Sequence, residues 1–150
     1  MFQASFKLQQ EIVTLANNIC SQKQRPPFSN LKRIMEATAQ LIGSLKIPQT
    51  LQQPDHVDCI TKMLMIILKG METHSVSINI MVNSCGLVQK TIHILQESSH
   101  QGPQYQLSLI CLRFISEQTF LSEDQAVNYM SLGLLTSLHK AFNIFISMLS

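Results

Sequence analysis

The chain has 150 residues, the length of one ordinary domain and enough to bury roughly two thirds of its unfolded surface. Its apolar fraction of 45% excludes intrinsic disorder, and its charged fraction of 13% is about half the usual share, so uncharged Gln, Ser, Asn and Thr supply the polar surface. The net charge of +2 is uneven: through residue 54, Lys7, Lys23, Arg25, Lys32, Arg33 and Lys46 outnumber Glu11 and Glu36, giving +4, yet they form no basic run.

Helical spacing runs along almost the whole chain. Leu8, Ile12, Leu15 and Ile19 share one face of a first helix, which fades in the polar stretch from Ser21 to Arg25 and is stopped by Pro26-Pro27. Ser29 or Asn30 is suited to cap a second helix, with Leu31, Ile34, Met35, Leu41, Ile42 and Leu45 at three- and four-residue steps. Pro48 and Pro54 then bracket a polar connector and predict an internal joint.

Asp55 is suited to cap a third helix, whose buried stripe is Val57, Ile60, Met63, Leu64, Ile67, Leu68 and Met71, and which Gly70 and Glu72-Thr73-His74 close. The segment Val76 to Val82 alternates like a strand. No partner strand is visible to pair with it, so a short helix ending at Gly86 is preferred. Leu87, Val88, Thr91, Ile92 and Leu95 resume the helical pattern; Gly102-Pro103 restarts the chain, with proline at the first helical position, into the stripe Leu107, Ile110, Cys111, Phe114 and Ile115. Ser122 and Gln125 match a capping box before a short helix holding Val127, Tyr129 and Met130. Gly133 ends that helix, and Leu134, Leu135, Leu138, Phe142, Phe145, Ile146 and Leu149 form a long core helix.

The absence of Trp, with two Tyr and eight Met, describes an aliphatic core suited to helix packing, and the fold class expected is all-α. Cys20, Cys59, Cys85 and Cys111 lie 39, 26 and 26 residues apart without any Cys-x-x-Cys pair, which points to reduced thiols in a cytoplasmic or nuclear protein. The longest apolar run, Met63 to Leu68, is too short for a bilayer, and no membrane partner is expected.

Gly86 and Gly133 look equivalent. Each separates a short helix from a longer one, has an apolar residue two positions on (Val88, Leu135) and nine on (Leu95, Phe142), and the two are 47 residues apart. Ser84-Cys85-Gly86-Leu87-Val88 and Ser131-Leu132-Gly133-Leu134-Leu135 resemble the joint before the third helix of armadillo repeats, over residues 55–150; Thr91 stands where that family usually has leucine, and no joint glycine is found in the N-terminal third. The resemblance to armadillo and HEAT repeats implies an α-solenoid of about seven to eight helices, with residues 1–54 forming irregular N-terminal helices and residues 55–150 the repeats. Phe145, Ile146, Met148 and Leu149 leave the end at Ser150 without a polar cap, so a fragment or shortened form of a longer solenoid is expected. The Gln/Ser-rich, low-charge style is similar to that of large armadillo-like proteins of meiotic chromosomes, such as the meiosis inhibitor scaffolds.

Little in the chain points to chemistry. His56, His74, His93, His100 and His139 form no ligand spacing, and Asp55/Asp58 and Glu123/Asp124 both open predicted helices, where negative charge is structural. There is no Gly-rich phosphate loop and no nucleophile elbow, so neither enzyme activity nor a cofactor nor a metal is expected. The resemblance implies instead a scaffold that binds a protein partner, a peptide or a helix, in a groove lined by third helices. Gln89, Lys90, His93, Thr136, Ser137, His139, Lys140 and Asn143 would be exposed on it. The alternative is nucleic-acid association through Lys23, Arg25, Lys32 and Arg33, although no aromatic residues interleave with them for base stacking.

Overall fold

The computed structural model describes residues 2–20, 28–73 and 82–149, and among these the regular structure is entirely helical. Eight helices are bounded: α1 (Phe2–Cys20), α2 (Phe28–Gly43), α3 (Ile47–Leu51), α4 (Pro54–Thr73), α5 (Leu87–Glu97), α6 (Gln104–Leu121), α7 (Glu123–Ser131) and α8 (Leu134–Leu149). Residues 82–84 are also helical, and the turn at Cys85-Gly86 follows them. The strand-or-helix question at Val76 to Met81 falls outside the described residues, as do Lys23 and Arg25.

The centre of the molecule is α4. Val57, Ile60, Met63, Leu64, Ile66, Ile67, Leu68 and Met71 are all buried, so the helix is apolar around most of its circumference and needs neighbours on several sides. Helices α1, α2, α3 and α6 supply them. The helix begins two residues earlier than the sequence suggests, at Pro54, with Asp55 inside the first turn rather than capping it, and it passes through Gly70 to Thr73. The connector expected between Pro48 and Pro54 is itself a helical turn, α3, whose Ile47, Thr50 and Leu51 are buried against α4 and α5.

Packing follows two successions. Helix α1 packs on α4 and α4 on α6; separately, α2 packs on α5 and α5 on α8. Helix α2 also packs on α4, so the two successions touch one another.

The glycine joints have the geometry their position demands. Gly86 and Gly133 have φ of 70° and 92°, the left-handed region, where a side chain costs about 1–2 kcal/mol. The carbonyl of each accepts the first backbone bond of the helix it opens, from Lys90 N and Ser137 N at 3.2 Å in both cases. The Ser122 hydroxyl caps α7 by accepting from Gln125 N at 3.3 Å, but the Gln125 side chain reaches across to Asn83 Oδ1 at 2.8 Å instead of closing a capping box. Pro103 precedes α6 as its cap rather than opening it.

Two apolar stripes face outward. On α1 the buried residues are Val13, Ala16 and Cys20, and the Leu8, Ile12, Leu15 face is exposed. On α8, expected as a core helix, only Leu134 and Ser137 are buried, and Leu135, Phe142, Phe145, Ile146, Met148 and Leu149 are exposed.

Candidate protein-interaction face

Helices α2, α5 and α8 each turn a polar row away from their packing contacts. On α2 it is Arg33 and Gln40, with the exposed Ala37 between them; on α5 it is Gln89, His93 and Gln96; on α8 it is Thr136, His139 and Asn143. Within each row the residues recur at three- and four-residue steps, so each occupies one side of its helix. Because α2 packs on α5 and α5 on α8, the three rows belong to helices that follow one another without interruption.

Of the residues singled out from the sequence, Gln89, Thr136, His139 and Asn143 are exposed, and Lys90, His93 and Lys140 are half-buried. Ser137 is buried, at 3% exposure, because it sits one position round the helix from Thr136 and faces the core. His93 Nε2 lies 3.8 Å from Glu97 Oε1, one turn on along α5.

The two lysines have structural partners. Lys90 Nζ donates to the carbonyl oxygen of Leu45, immediately beyond α2, and Lys140 Nζ donates to the carbonyls of Gln96 and Ser98, the latter at 3.0 Å, at the end of α5. A helix C-terminus leaves carbonyls without intrahelical donors and carries partial negative charge, so an ammonium there satisfies both. In both cases a lysine early in one helix ties down the end of the helix it packs on.

A second concavity lies between α1, α3 and the start of α4. It measures about 910 Å³, with Leu41, Leu45, Ile60 and Met63 among its apolar lining and Gln9, Gln10, Gln52 and Gln53 among its polar lining. Phe6 and His56 meet there with ring centroids 3.9 Å apart. Sequence reasoning missed this cleft; the paired glutamines at 9–10 and 52–53 were its only local signal.

A buried polar cluster lies between α5, α6 and α7. Tyr129 OH donates to Gln118 Oε1 at 2.5 Å and lies 3.4 Å from Thr91 Oγ1, so the buried threonine of α5 pairs with a tyrosine of α7. Burial pushes the Tyr129 hydroxyl well above its ordinary pKa. Nearby, His100 Nδ1 is 2.7 Å from Ser108 Oγ, which is 2.8 Å from Ser98 Oγ, and burial together with the Lys140 charge lowers the His100 pKa.

Two of the thiols, Cys59 and Cys111, are poorly placed to act as nucleophiles. Burial, with Asp58 adding to it against an opposing effect of Lys62, pushes Cys59 up to about 11, and burial raises Cys111 further. Cys20, Cys59 and Cys111 are buried and Cys85 is half-buried. Among the described residues no three of His, Cys, Asp and Glu converge on a point where a metal ion would fit. No single described helix is long and apolar enough to cross a membrane; α7 and α8 reach that length and composition only together, with a bend of 74° between them.

For the nucleic-acid alternative, Lys32 and Arg33 are exposed on α2, and Lys32 lies 3.8 Å from Glu36, which offsets its charge locally. Comparison with known proteins finds no matching family model, no matching curated protein and no matching solved structure.

Proposed function

We propose that the chain is a non-enzymatic protein-interaction scaffold of the α-solenoid type, which binds an extended or helical peptide across the polar rows of α2, α5 and α8. The observation that carries this reading is the pair of parallel successions, α1 to α4 to α6 and α2 to α5 to α8, joined by glycines of matching left-handed geometry. Successive units that stack in the same order present their equivalent helices side by side, and such a surface suits a ligand that runs across several units.

The chemistry of the rows favours a peptide. Glutamine, asparagine, threonine and histidine both donate and accept hydrogen bonds, which matches the alternating donors and acceptors of a peptide backbone. Phosphate recognition would call for several unpaired cations, and of those on this side the two lysines are held by Leu45, Gln96 and Ser98, which leaves the exposed Arg33 of α2. A chromosome-associated assembly, in the manner of the meiotic scaffolds that the chain resembles, is the setting this reading assigns.

The test is selection of binders from a random peptide library against the folded chain, followed by calorimetric titration of the enriched peptides. Binding should fall at least tenfold in a variant carrying Gln89→Ala, His93→Ala, His139→Ala and Asn143→Ala, with the melting curve unchanged. Peptides that bind this variant as tightly as the parent chain would refute the proposed face.

A further inference from the structure

The outward stripe of α8 has a regularity that its packing does not use. Leu135, Leu138, Phe142, Phe145 and Leu149 follow one another at steps of three, four, three and four, the spacing of a helix seam that meets a second helix. Four of the five are 57–72% exposed, and Leu138 is partly buried at the edge of the core. The helix packs on α5 and α7 through its other side, where Leu134 and Ser137 are buried.

We infer that this stripe is the interface of a homodimer, in which α8 pairs antiparallel with α8 of a second copy. Three observations select the second copy as occupant.

The area is of the right size. A fully covered aromatic side chain buries about 150–250 Å², so Phe142 and Phe145 each leave on the order of 100 Å² open. Together with Leu135, Ile146, Met148 and Leu149 the helix offers about 600 Å², approaching the roughly 800 Å² per partner of a stable protein interface, and exposed Met130 on the adjoining α7 extends it.

The stripe is also self-complementary. About Phe142 its members lie seven and four positions before and three and seven positions after, symmetric to within one residue, so a two-fold axis there sets Leu135 opposite Leu149 and brings Leu138 within one position of Phe145 of the second copy. Finally, no like charges oppose this pairing. The flanking positions are His139 and Ile146 on one side and Ala141 and Met148 on the other, and the only Lys, Arg, Asp or Glu of α8 is Lys140, whose ammonium is held by Gln96 and Ser98. An amphipathic helix that lies on a lipid surface carries several free cations on its polar side, and α8 has none to spare.

The test is sedimentation equilibrium of the 150-residue chain in reducing buffer across the micromolar range, with Phe142→Glu plus Phe145→Glu as the disrupting variant and Leu8→Glu plus Leu15→Glu, on the other exposed stripe, as the control. The inference expects twice the chain mass for the parent and the control, and the single-chain mass with unchanged helical circular dichroism for the disrupting variant. If the double glutamate variant loses its fold, the milder Phe142→Ser is expected to weaken the dimer at least tenfold. A parent chain that stays monomeric overturns the inference, as does a dimer that survives the α8 substitutions, or a monomer that instead adsorbs to phosphatidylcholine vesicles.

Discussion

The ammonium of Lys140, in the second turn of α8, rests 3.0 Å from the carbonyl oxygen of Ser98, the residue that ends α5. Lys90 of α5 is placed in the same way, donating to Leu45 beyond the end of α2. Both lysines thus fasten one helix to the end of the preceding helix in the same succession. Replacing either by methionine keeps most of the apolar stem and removes the charge-assisted bond. Each substitution should lower the unfolding free energy by about 1 kcal/mol, measured by urea denaturation, and the effects should add because the sites share no partner.

The end of α2 approaches the first glycine joint so closely that a Cβ on Gly43 would collide with the carbonyl oxygen of Cys85. Alanine in a helix interior ordinarily stabilises by about 0.5–1 kcal/mol over glycine. Here the backbone contact reverses the sign, because forcing an extra atom into a closed contact costs about 1–3 kcal/mol. Gly43→Ala should therefore lower the melting temperature. An unchanged or raised value would show that the two elements separate at no cost.

Tyr129 is fully buried, and its hydroxyl is the donor to Gln118 Oε1. Tyr129→Phe would leave that oxygen buried without this donor. A loss of about 1–2 kcal/mol is expected in denaturant titration, with helical content retained.

His100 is 8% exposed and its pKa is lowered from 6.5, first by burial and then by the Lys140 charge. Protonation therefore favours the unfolded chain. The sign follows: above about pH 6.5 the histidine is neutral in both states and imposes no penalty, and below it the unfolded chain binds the extra proton and stability falls. His100 also has a left-handed φ of 59°, which asparagine tolerates. His100→Asn should flatten the acid limb of the stability curve between pH 6.5 and the lowered pKa, and a parallel curve would assign that limb to other groups.

Legibility differed from element to element for physical reasons. The α4 helix was readable because its stripe is so broad that only burial on several sides accounts for it, and the joints at Gly86 and Gly133 were readable because a chain that turns with positive φ needs a residue without a Cβ. Stripes on the outer helices misled. Periodicity at Leu8, Ile12 and Leu15 reports that an apolar face exists, whereas the buried side of α1 holds Val13, Ala16 and Cys20. The roles of Lys90 and Lys140 had no local signature, since their carbonyl partners lie more than forty residues away in the chain. Ser137 was assigned to the open face because helix position alone does not resolve one residue of rotation.

The most direct measurement of the central claim is photo-crosslinking of a library-selected peptide to chains carrying a benzophenone side chain at one position each: His93 on α5, Asn143 on α8, or Gln53 in the cleft beside α4. The account predicts that one peptide crosslinks from both His93 and Asn143 and not from Gln53, because the ligand runs across stacked helices. Crosslinking confined to Gln53 would contradict it and move the binding site to the glutamine-lined cleft.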